Sequence, residues 1–239
     1  MRILIALLGL LYINACAVNI CMPEAKVQAI GNKYDIGQAH KSVGSVFVRQ
    51  INGKLELRGT VFAIDKDYLL TAGHVCVGIA QFQDMGLADN NIRMDTVRDG
   101  HKGSLDHIEI MEIDEPHDIC LMKKVDHGLD PLELTSNFNK DLKFRDIVWI
   151  VGAPLGIVMA EAEGRVMDAN PNLSPPAKGL FIVSAAAAGG NSGSPVINEQ
   201  GKVVGILVAG VGAFDHLSFC VKSSTVQRFL KIVGYERRD

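Results

Sequence analysis

The chain has 239 residues, of which 48% are apolar and 21% charged, and its formal net charge is −3 at pH 7. This apolar content can bury one sizeable core or two small ones packed together, and with the modest net charge it excludes an intrinsically disordered chain. No uninterrupted apolar run reaches the roughly 18 residues of a spanning helix, which excludes a membrane-spanning bundle. No block of Lys and Arg extends beyond Arg237-Arg238, so no nucleic-acid partner is expected.

The N-terminus has the order of a secretory signal. Arg2 precedes an apolar run at residues 3–13, and small residues follow. A small-x-small pattern predicts cleavage after Ala17, so that residues 1–17 form the signal peptide. The stretch ending in Cys16 also resembles a bacterial lipobox, in which Cys16 would become the lipidated first residue. An uncleaved anchor is the third alternative, but the run is short for a bilayer core of about 30 Å. We expect a secreted or periplasmic protein whose sole membrane attachment would be a lipoprotein anchor.

From residue 43 onward the pattern is typical of short strands joined by tight turns. Asn52-Gly53 lies between two alternating runs and strongly predicts a hairpin, because both turn positions need a positive φ. A second hairpin is expected with its turn at residues 65–67. Two later apolar runs complete a first β-rich half at residues 43–125, which we interpret as one barrel.

A second β-rich half follows at residues 143–222, and the chain ends with a helix at residues 223–236. Ser224 with Gln227 predicts a capping box at the start of this helix. Apolar residues repeat at helical spacing along it, namely Val226, Phe229, Leu230 and Val233. Helical periodicity is missing between the strands, so we expect this single helix and no alternating βαβ architecture. Many short strands in two halves predict an all-β fold of two packed antiparallel β-barrels.

The cysteines and histidines give no sign of a metal site. The chain has no C-x-x-C motif, and its histidines lack the spacing of metal ligands, so neither a metal nor a cofactor is expected. Cys120 and Cys220 lie in apolar strands and are interpreted as buried hydrophobic side chains rather than reactive thiols. Export permits disulfides, but the sequence leaves their pairing open.

Three separated segments carry the residues of a nucleophilic site. They are residues 71–75 (Thr-Ala-Gly-His-Val), 118–121 (Asp-Ile-Cys-Leu) and 189–195 (Gly-Gly-Asn-Ser-Gly-Ser-Pro). A serine hydroxyl is a poor nucleophile until a neutral imidazole accepts its proton, and a carboxylate must hold that imidazole in the right tautomer. His74, Asp118 and Ser192 supply these groups. The glycines allow a tight loop in which the N–H groups of Gly190 and Ser192 form an oxyanion hole.

The three segments resemble those of trypsin-like, chymotrypsin-fold serine proteases, whose patterns read T-A-A-H, D-I-A-L and G-D/N-S-G-G-P. The resemblance covers residues 43–232 and is nearest to bacterial HtrA/Deg and glutamyl-endopeptidase-like members. It implies a cleft between two six-stranded barrels, with His74 as general base and then acid, Asp118 as orienting carboxylate and Ser192 as nucleophile. Three positions depart from the family pattern, namely Val61, Asn191 and Ser194. HtrA proteins usually carry a PDZ domain, and because few residues follow the terminal helix we expect none here.

The resemblance also implies a pocket for the substrate side chain that precedes the scissile bond. Its predicted lining is Ala186, Leu207, Gly210 and Ser218. None of these residues carries a formal charge, so a buried Arg, Lys or Glu of the substrate would remain an unpaired ion. We therefore expect a preference for small to medium-sized aliphatic residues. Segment 80–116 is expected to form a hairpin over the cleft, with its charges on a solvated face.

These features together predict an exported serine endopeptidase whose partner is a polypeptide substrate. One alternative is a catalytically inactive trypsin-like binding protein that retains the fold. Another is an esterase-like hydrolase on the same scaffold.

Overall fold

The computed structural model describes residues 34–98, 101–156, 159–173, 179–211 and 214–237. The predicted signal peptide at residues 1–17, including Cys16, lies outside these residues. Among the helices that the model describes, none is long and apolar enough to cross a membrane.

The first half of the chain forms an antiparallel sheet. Its seven described strands are β1 (Val43–Gln50), β2 (Leu55–Ala63), β3 (Tyr68–Ala72), β4 (Ala88–Arg98), β5 (His101–Leu105), β6 (Glu109–Asp114) and β7 (Ile119–Lys123), in the spatial order β5-β4-β1-β2-β3-β7-β6. The hairpin predicted at Asn52-Gly53 is confirmed, since the φ of Gly53 is 82° and its N–H donates to the carbonyl of Gln50 at 2.8 Å. In the next turn, Asp65 accepts hydrogen bonds from the N–H groups of Asp67 and Tyr68.

The hairpin of β4 and β5 is part of this sheet. β4 pairs with β1 over most of its length, and the side chains of Ile92 and Met94 are buried. On the solvated side, Arg93 and Asp95 form an ion pair at 2.8 Å. The expectation of a hairpin lying over the cleft is therefore wrong, because the apolar residues of β4 that alternate with polar ones anchor it in the sheet.

The second half forms a closed barrel. Its strands are β8 (Glu133–Leu134), β9 (Ile147–Gly152), β10 (Ala160–Asp168), β11 (Leu180–Val183), β12 (Pro195–Asn198), β13 (Lys202–Val211) and β14 (Phe214–Lys222). Six strands in the order β12-β9-β10-β11-β14-β13 close through the pairing of β12 with β13, and β8 adds to β13 in parallel. The all-β fold is thus confirmed, with one refinement: among the described strands, the first sheet has seven members, and its edge strands β5 and β6 do not pair with each other.

The two halves share a hydrophobic core. Phe62 and Leu69 of the first sheet belong to the same buried cluster as Trp149, Ile197 and Ile206 of the second. A smaller cluster fills the interior of the second barrel, around Phe181. Because the larger cluster crosses from one sheet to the other, the loops between the sheets are held by both.

Three α-helices are described, where the sequence predicts one. They are α1 (Gly73–Asp84), α2 (Phe138–Asp141) and α3 (Ser223–Ile232). The predicted terminal helix α3 is confirmed, with Val226, Phe229 and Leu230 buried. Its capping box is not formed, because the N-cap residue is Lys222 and Ser224 lies inside the first turn. The side chain of Gln227 donates to the carbonyl of Thr135. The expectation of a single helix is wrong: α1 has weak helical periodicity, since it contains Gly78 and buries only one short face.

Candidate active site

His74 lies at the junction of a strand and a helix. β3 ends at Ala72 and α1 begins at Gly73, so that His74 is the second residue of the helix. A Cβ at Gly73 would lie 2.9 Å from the nitrogen of Ile119 and 3.1 Å from the Cα of Asp118. Glycine therefore lets the segment that carries His74 approach the segment that carries Asp118.

Asp118 follows a tight 3-10 turn. The turn spans Glu115–His117, and the side chain of Asp114 accepts a hydrogen bond from the N–H of His117 at 3.3 Å. Asp118 itself has φ 56° and ψ 51°, in the left-handed region that aspartate tolerates better than most residues. This conformation ends the turn and starts β7 at the next residue.

The carboxylate of Asp118 binds His74 twice. Its Oδ1 accepts the backbone N–H of His74 at 2.7 Å, and its Oδ2 lies 2.9 Å from the imidazole Nδ1. Because an ionised carboxylate only accepts hydrogen bonds, Nδ1 carries the hydrogen, and the Nε2 of a neutral imidazole is left with a free lone pair. The backbone contact also caps α1, whose own N-cap residue Ala72 offers no side-chain acceptor.

The loop of Ser192 is tied to both sheets. The carbonyl of Ser192 accepts the N–H of Thr60 in β2 at 2.8 Å, and the N–H of Gly193 donates to the carbonyl of Leu207 in β13 at 2.8 Å. Gly193 has φ 91°, and a Cβ there would lie 2.1 Å from both the carbonyl oxygen of Thr60 and the Oγ1 of Thr71. Glycine is thus the only residue that fits at this point.

The loop also brings Ser192 beside the helix that carries His74. A Cβ at Gly59 would lie 2.7 Å from the carbonyl of Ser192 and 2.7 Å from a methyl group of Val75, the neighbour of His74. Ser192 is half-buried, and its Oγ makes no hydrogen bond with His74 or with another residue that the structure describes. The hydroxyl is therefore free to rotate.

Two amide groups of the loop have no hydrogen-bond partner within the described part of the chain. They are the N–H groups of Gly190 and Ser192, whereas the N–H of Asn191 between them donates to the carbonyl of Ala188 at 3.0 Å. The carbonyl of Gly189 accepts the N–H of Leu155 at 2.7 Å. Since the peptide unit is planar and trans, the N–H of Gly190 points away from Leu155. The two amides predicted as an oxyanion hole are thus free donors on one loop.

Thr60 is a site residue to which the sequence assigned no role. Its Oγ1 donates to the carbonyl of Gly190 at 2.7 Å and accepts the N–H of Ala153 at 3.1 Å. The residue is fully buried. By holding the carbonyl of Gly190, the Thr60 hydroxyl fixes the Gly190–Asn191 peptide, which follows the positive φ of 96° at Gly190. The signal in the sequence was a threonine in β2, the strand that precedes the histidine strand β3.

The four predicted pocket residues lie in different surroundings. Ala186 is exposed, and Gly210 is exposed on β13, where a Cβ would lie 3.5 Å from the Cβ of Ala187. Ser218 is buried opposite Gly210, and its hydroxyl donates to the carbonyl of Ala185 at 2.8 Å. Leu207 is buried and belongs to the interior cluster of the second barrel. The sequence reasoning did not single out Ala187, which faces Gly210.

A cavity of about 620 Å³ opens beside His74 and Asp118. Its apolar lining comes from strands of the second sheet, from α1 and from connections between strands, namely Val77, Pro116, Leu173, Leu180, Val208, Ala209, Phe219 and Val221. Glu115 and His117 complete it. Such a cleft can hold an extended chain with apolar side chains. In the described ranges, no three His, Cys, Asp or Glu side chains converge to hold a metal ion.

A disulfide joins Cys76 to Cys120. Cys120 is buried as expected, but its interpretation as a merely hydrophobic side chain is wrong, since it is covalently paired. Cys220 is a buried free thiol, and burial raises the pKa of this thiol. The sequence could not pair these cysteines because their proximity depends on the β3–β7 pairing, which places Thr71 opposite Cys120.

Comparison with known proteins gives the family. A model of the trypsin-like peptidase domain matches residues 59–206. A probable periplasmic serine endoprotease DegP-like from Ectopseudomonas mendocina is 30% identical over 168 residues, which are 68% of this chain but 32% of that protein. This chain thus spans less than a third of that relative's length.

Solved structures of HtrA-type proteins have a similar fold. The crystal structure of Deg5 matches with a TM-score of 0.68 at 21% identity, covering 85% of this chain and 94% of the other. The HtrA-type protease AlgW, solved with a tripeptide, matches with a TM-score of 0.67 at 19% identity, covering 83% of this chain and 62% of the other. The family match includes the segments of His74, Asp118 and Ser192, and the chain belongs to the trypsin-like peptidase family.

Proposed function

We propose that this chain is a serine endopeptidase in which His74, Asp118 and Ser192 form the catalytic triad. The observation that carries the proposal is the double contact of Asp118 with the backbone N–H and the Nδ1 of His74. This contact fixes the imidazole and leaves Nε2 ready to accept a proton. Membership of the trypsin-like peptidase family supports the same activity.

The reaction would proceed through an acyl-enzyme. Ser192 Oγ attacks the carbonyl carbon of the scissile peptide bond while His74 Nε2 takes the hydroxyl proton. His74 then returns this proton to the leaving amine, the C–N bond breaks, and the acyl group remains on Ser192. Water attacks the ester in the same way and releases the acid. In a protein without substrate, catalytic hydrogen bonds are often not yet aligned, which agrees with the unbonded hydroxyl of Ser192.

The amides of Gly190 and Ser192 would stabilise the negative charge on the carbonyl oxygen. Both N–H groups lack a partner among the described residues, and such preorganised donors act on the charge that develops in the transition state. The bond from Thr60 to the carbonyl of Gly190 supports this role, because it holds the Gly190–Asn191 peptide, which lies between the two donor peptides.

We further propose a preference for small to medium-sized aliphatic residues before the scissile bond. Ala187 and Gly210 carry no charge, and a Cβ at Gly210 would already contact the Cβ of Ala187 at 3.5 Å, so the predicted pocket is narrow. The hydroxyl of Ser218 already donates to the carbonyl of Ala185. A substrate ion placed there would be unpaired, whereas each buried methylene contributes about 0.8 kcal/mol. Cleavage of a peptide library mainly after Arg, Lys or Glu would contradict this preference.

The proposed location is extracytoplasmic. The secretory pattern at residues 1–17 and the disulfide between Cys76 and Cys120 support export, because disulfides persist in oxidising compartments. The name of the DegP-like relative places that protein in the periplasm. Gel mobility of the mature protein with and without globomycin, which blocks lipoprotein processing, distinguishes lipidation at Cys16 from cleavage after Ala17.

Labelling with a fluorophosphonate probe tests the activity, because only an activated serine reacts. We expect the wild-type protein to be labelled and to degrade casein, and Ser192→Ala to lose labelling and about 10⁶-fold of turnover. Ser194→Ala is a matched control, since Ser194 lies in the same loop and its buried Oγ has no partner among the described residues. It should be labelled like the wild type.

The alternative functions give different results in this experiment. A folded wild-type protein that is not labelled would be a catalytically inactive binding protein. A protein that is labelled and cleaves ester substrates but not casein or library peptides would be an esterase-like hydrolase on the same scaffold.

A further inference from the structure

The disulfide joins the two elements that carry the proposed base and its carboxylate. Cys76 follows His74 by two residues in the first turn of α1, and Cys120 follows Asp118 by two residues at the start of β7. Both cysteines are fully buried. We propose that the Cys76–Cys120 disulfide is a positioning element of the active site, which holds the imidazole of His74 against the carboxylate of Asp118. The proposal rests on the proposed function of the His–Asp pair.

Noncovalent contacts alone hold this pair weakly. The side chains of His74 and Asp118 are 48% and 31% exposed, so water competes for their hydrogen bonds. At Gly73 the backbone of α1 touches Asp118 and Ile119 directly, and in the rest of α1 only Val75, Cys76 and Ile79 are buried. A covalent link between the two segments adds a constraint on their spacing that these contacts do not supply.

Helix α1 has little stability of its own at this end. Its N-cap residue Ala72 gives no side-chain hydrogen bond, and Gly78 lowers its intrinsic helix propensity. The N–H of His74 is instead capped by Asp118, which belongs to another part of the chain. Movement of α1 away from β7 would remove the cap and the imidazole contact in one step.

The disulfide lies just beyond the end of the pairing between β3 and β7. The ladder between these strands ends at Ala72 and Ile119, after which the chain leaves the sheet as α1. The disulfide ties the first turn of α1 back to Cys120, which faces Thr71 in that ladder. The disulfide thereby extends the connection between these strands to the first helical turn of α1, which contains His74.

The test is the double variant Cys76→Ala/Cys120→Ala, assayed at a low temperature at which circular dichroism finds it folded. We expect kcat and the rate of fluorophosphonate labelling to fall by about 10- to 100-fold, as for a small displacement of a catalytic group. KM should change little, since neither cysteine is among the residues that line the cleft. Cys220→Ala removes a buried cysteine of the second barrel and should change neither parameter.

A folded double variant with wild-type kcat and labelling rate would overturn the proposal. If the variant does not fold, Cys76→Val/Cys120→Ala refills part of the volume and is measured in the same way. If this variant also fails to fold, the wild-type protein is treated with increasing concentrations of reductant, and labelling and ellipticity are followed together. The proposal expects labelling to be lost before ellipticity. Simultaneous loss of both would overturn it, because the disulfide would then only stabilise the fold. A wild-type protein that is never labelled contradicts the triad itself, which separates the two failures.

Discussion

The substitution Thr60→Val removes one hydroxyl from the centre of the site while keeping the shape of the side chain. Two partners of Thr60 Oγ1 are left behind: the carbonyl of Gly190, which it binds at 2.7 Å, and the N–H of Ala153, which binds it at 3.1 Å. The backbone bonds of Thr60, to the carbonyl of Ser192 and from the hydroxyl of Thr71, are unaffected. The variant therefore isolates the contribution of a single group.

The loss of stability follows from the burial of those partners. Ala153 is 1% exposed, so its N–H stays without an acceptor, which costs about 1–3 kcal/mol. Gly190 is half-buried, so that water can partly replace the donor to its carbonyl. We expect the free energy of unfolding to fall by about 2 kcal/mol and Tm by about 4–8 °C for a domain of this size.

The loss of activity should be larger than this stability change implies. Without the bond to Thr60, only the hydrogen bond from Asn191 N–H to the carbonyl of Ala188 still holds the Gly190–Asn191 peptide. Gly190 can then change its φ and ψ with little steric resistance, and this change turns its own N–H away from the oxyanion position. Loss of one donor from an oxyanion hole lowers kcat by about 10²–10³-fold. We expect kcat on the best library peptide to fall by this factor at a temperature where the variant is folded, with KM little changed.

Thr71→Val is the matched control for this substitution. Thr71 is equally buried and its hydroxyl donates to the carbonyl of Thr60 at 2.7 Å, but it makes no hydrogen bond with the Gly190 peptide. It should lose stability with a kcat within about threefold of wild type. If Thr60→Val and Thr71→Val have equal kcat values, the Thr60 hydroxyl does not hold the oxyanion loop and this reasoning is refuted.

Two further substitutions test the close approach at the loop and the buried histidine. Gly193→Ala should lower the free energy of unfolding by more than about 3 kcal/mol in urea titrations, because its Cβ would lie 2.1 Å from two oxygens. Gly53→Ala is the control: it is also at positive φ but has no atom within 4 Å, and it should cost about 1 kcal/mol. Equal losses would contradict the steric argument. For His127, burial lowers the pKa of the imidazole from its usual 6.5, so the unfolded chain takes up the proton first and stability declines as pH falls below about 6.5. His127→Asn can still accept the N–H of Leu129, and it should weaken the decline of the free energy of unfolding between about pH 7.5 and pH 5. His216→Asn, at an exposed histidine, should not. An unchanged slope of this free energy against pH in the His127 variant would contradict the role of His127.

Local sequence patterns predicted those parts of the fold that depend on neighbouring residues. The Asn52-Gly53 pair predicted a hairpin turn, which the structure makes with a positive φ at Gly53 alone, and α3 repeats its apolar residues at helical spacing. The sequence predicted a hairpin in the segment of β4 and β5 but placed it over the cleft, because the polar residues of β4 suggest a solvated excursion. Only its pairing with β1 makes it part of the sheet. Helix α1 was missed for the related reason that its cap, Asp118, lies 44 residues away in the chain.

The candidate site residues could be predicted from local sequence, whereas the contacts that position them could not. His74, Asp118 and Ser192 could be named from the sequence because their chemistry restricts residue type. The Thr60 hydroxyl and the Cys76–Cys120 disulfide act across sheets and between elements, where many residue types would satisfy the local pattern. Gly73 and Gly193 belong with these contacts, since each is glycine because another backbone passes within contact distance. In this protein the spacing of the reactive groups is thus set by close backbone approaches, and variants at these approaches should reduce activity before they disrupt the sheets.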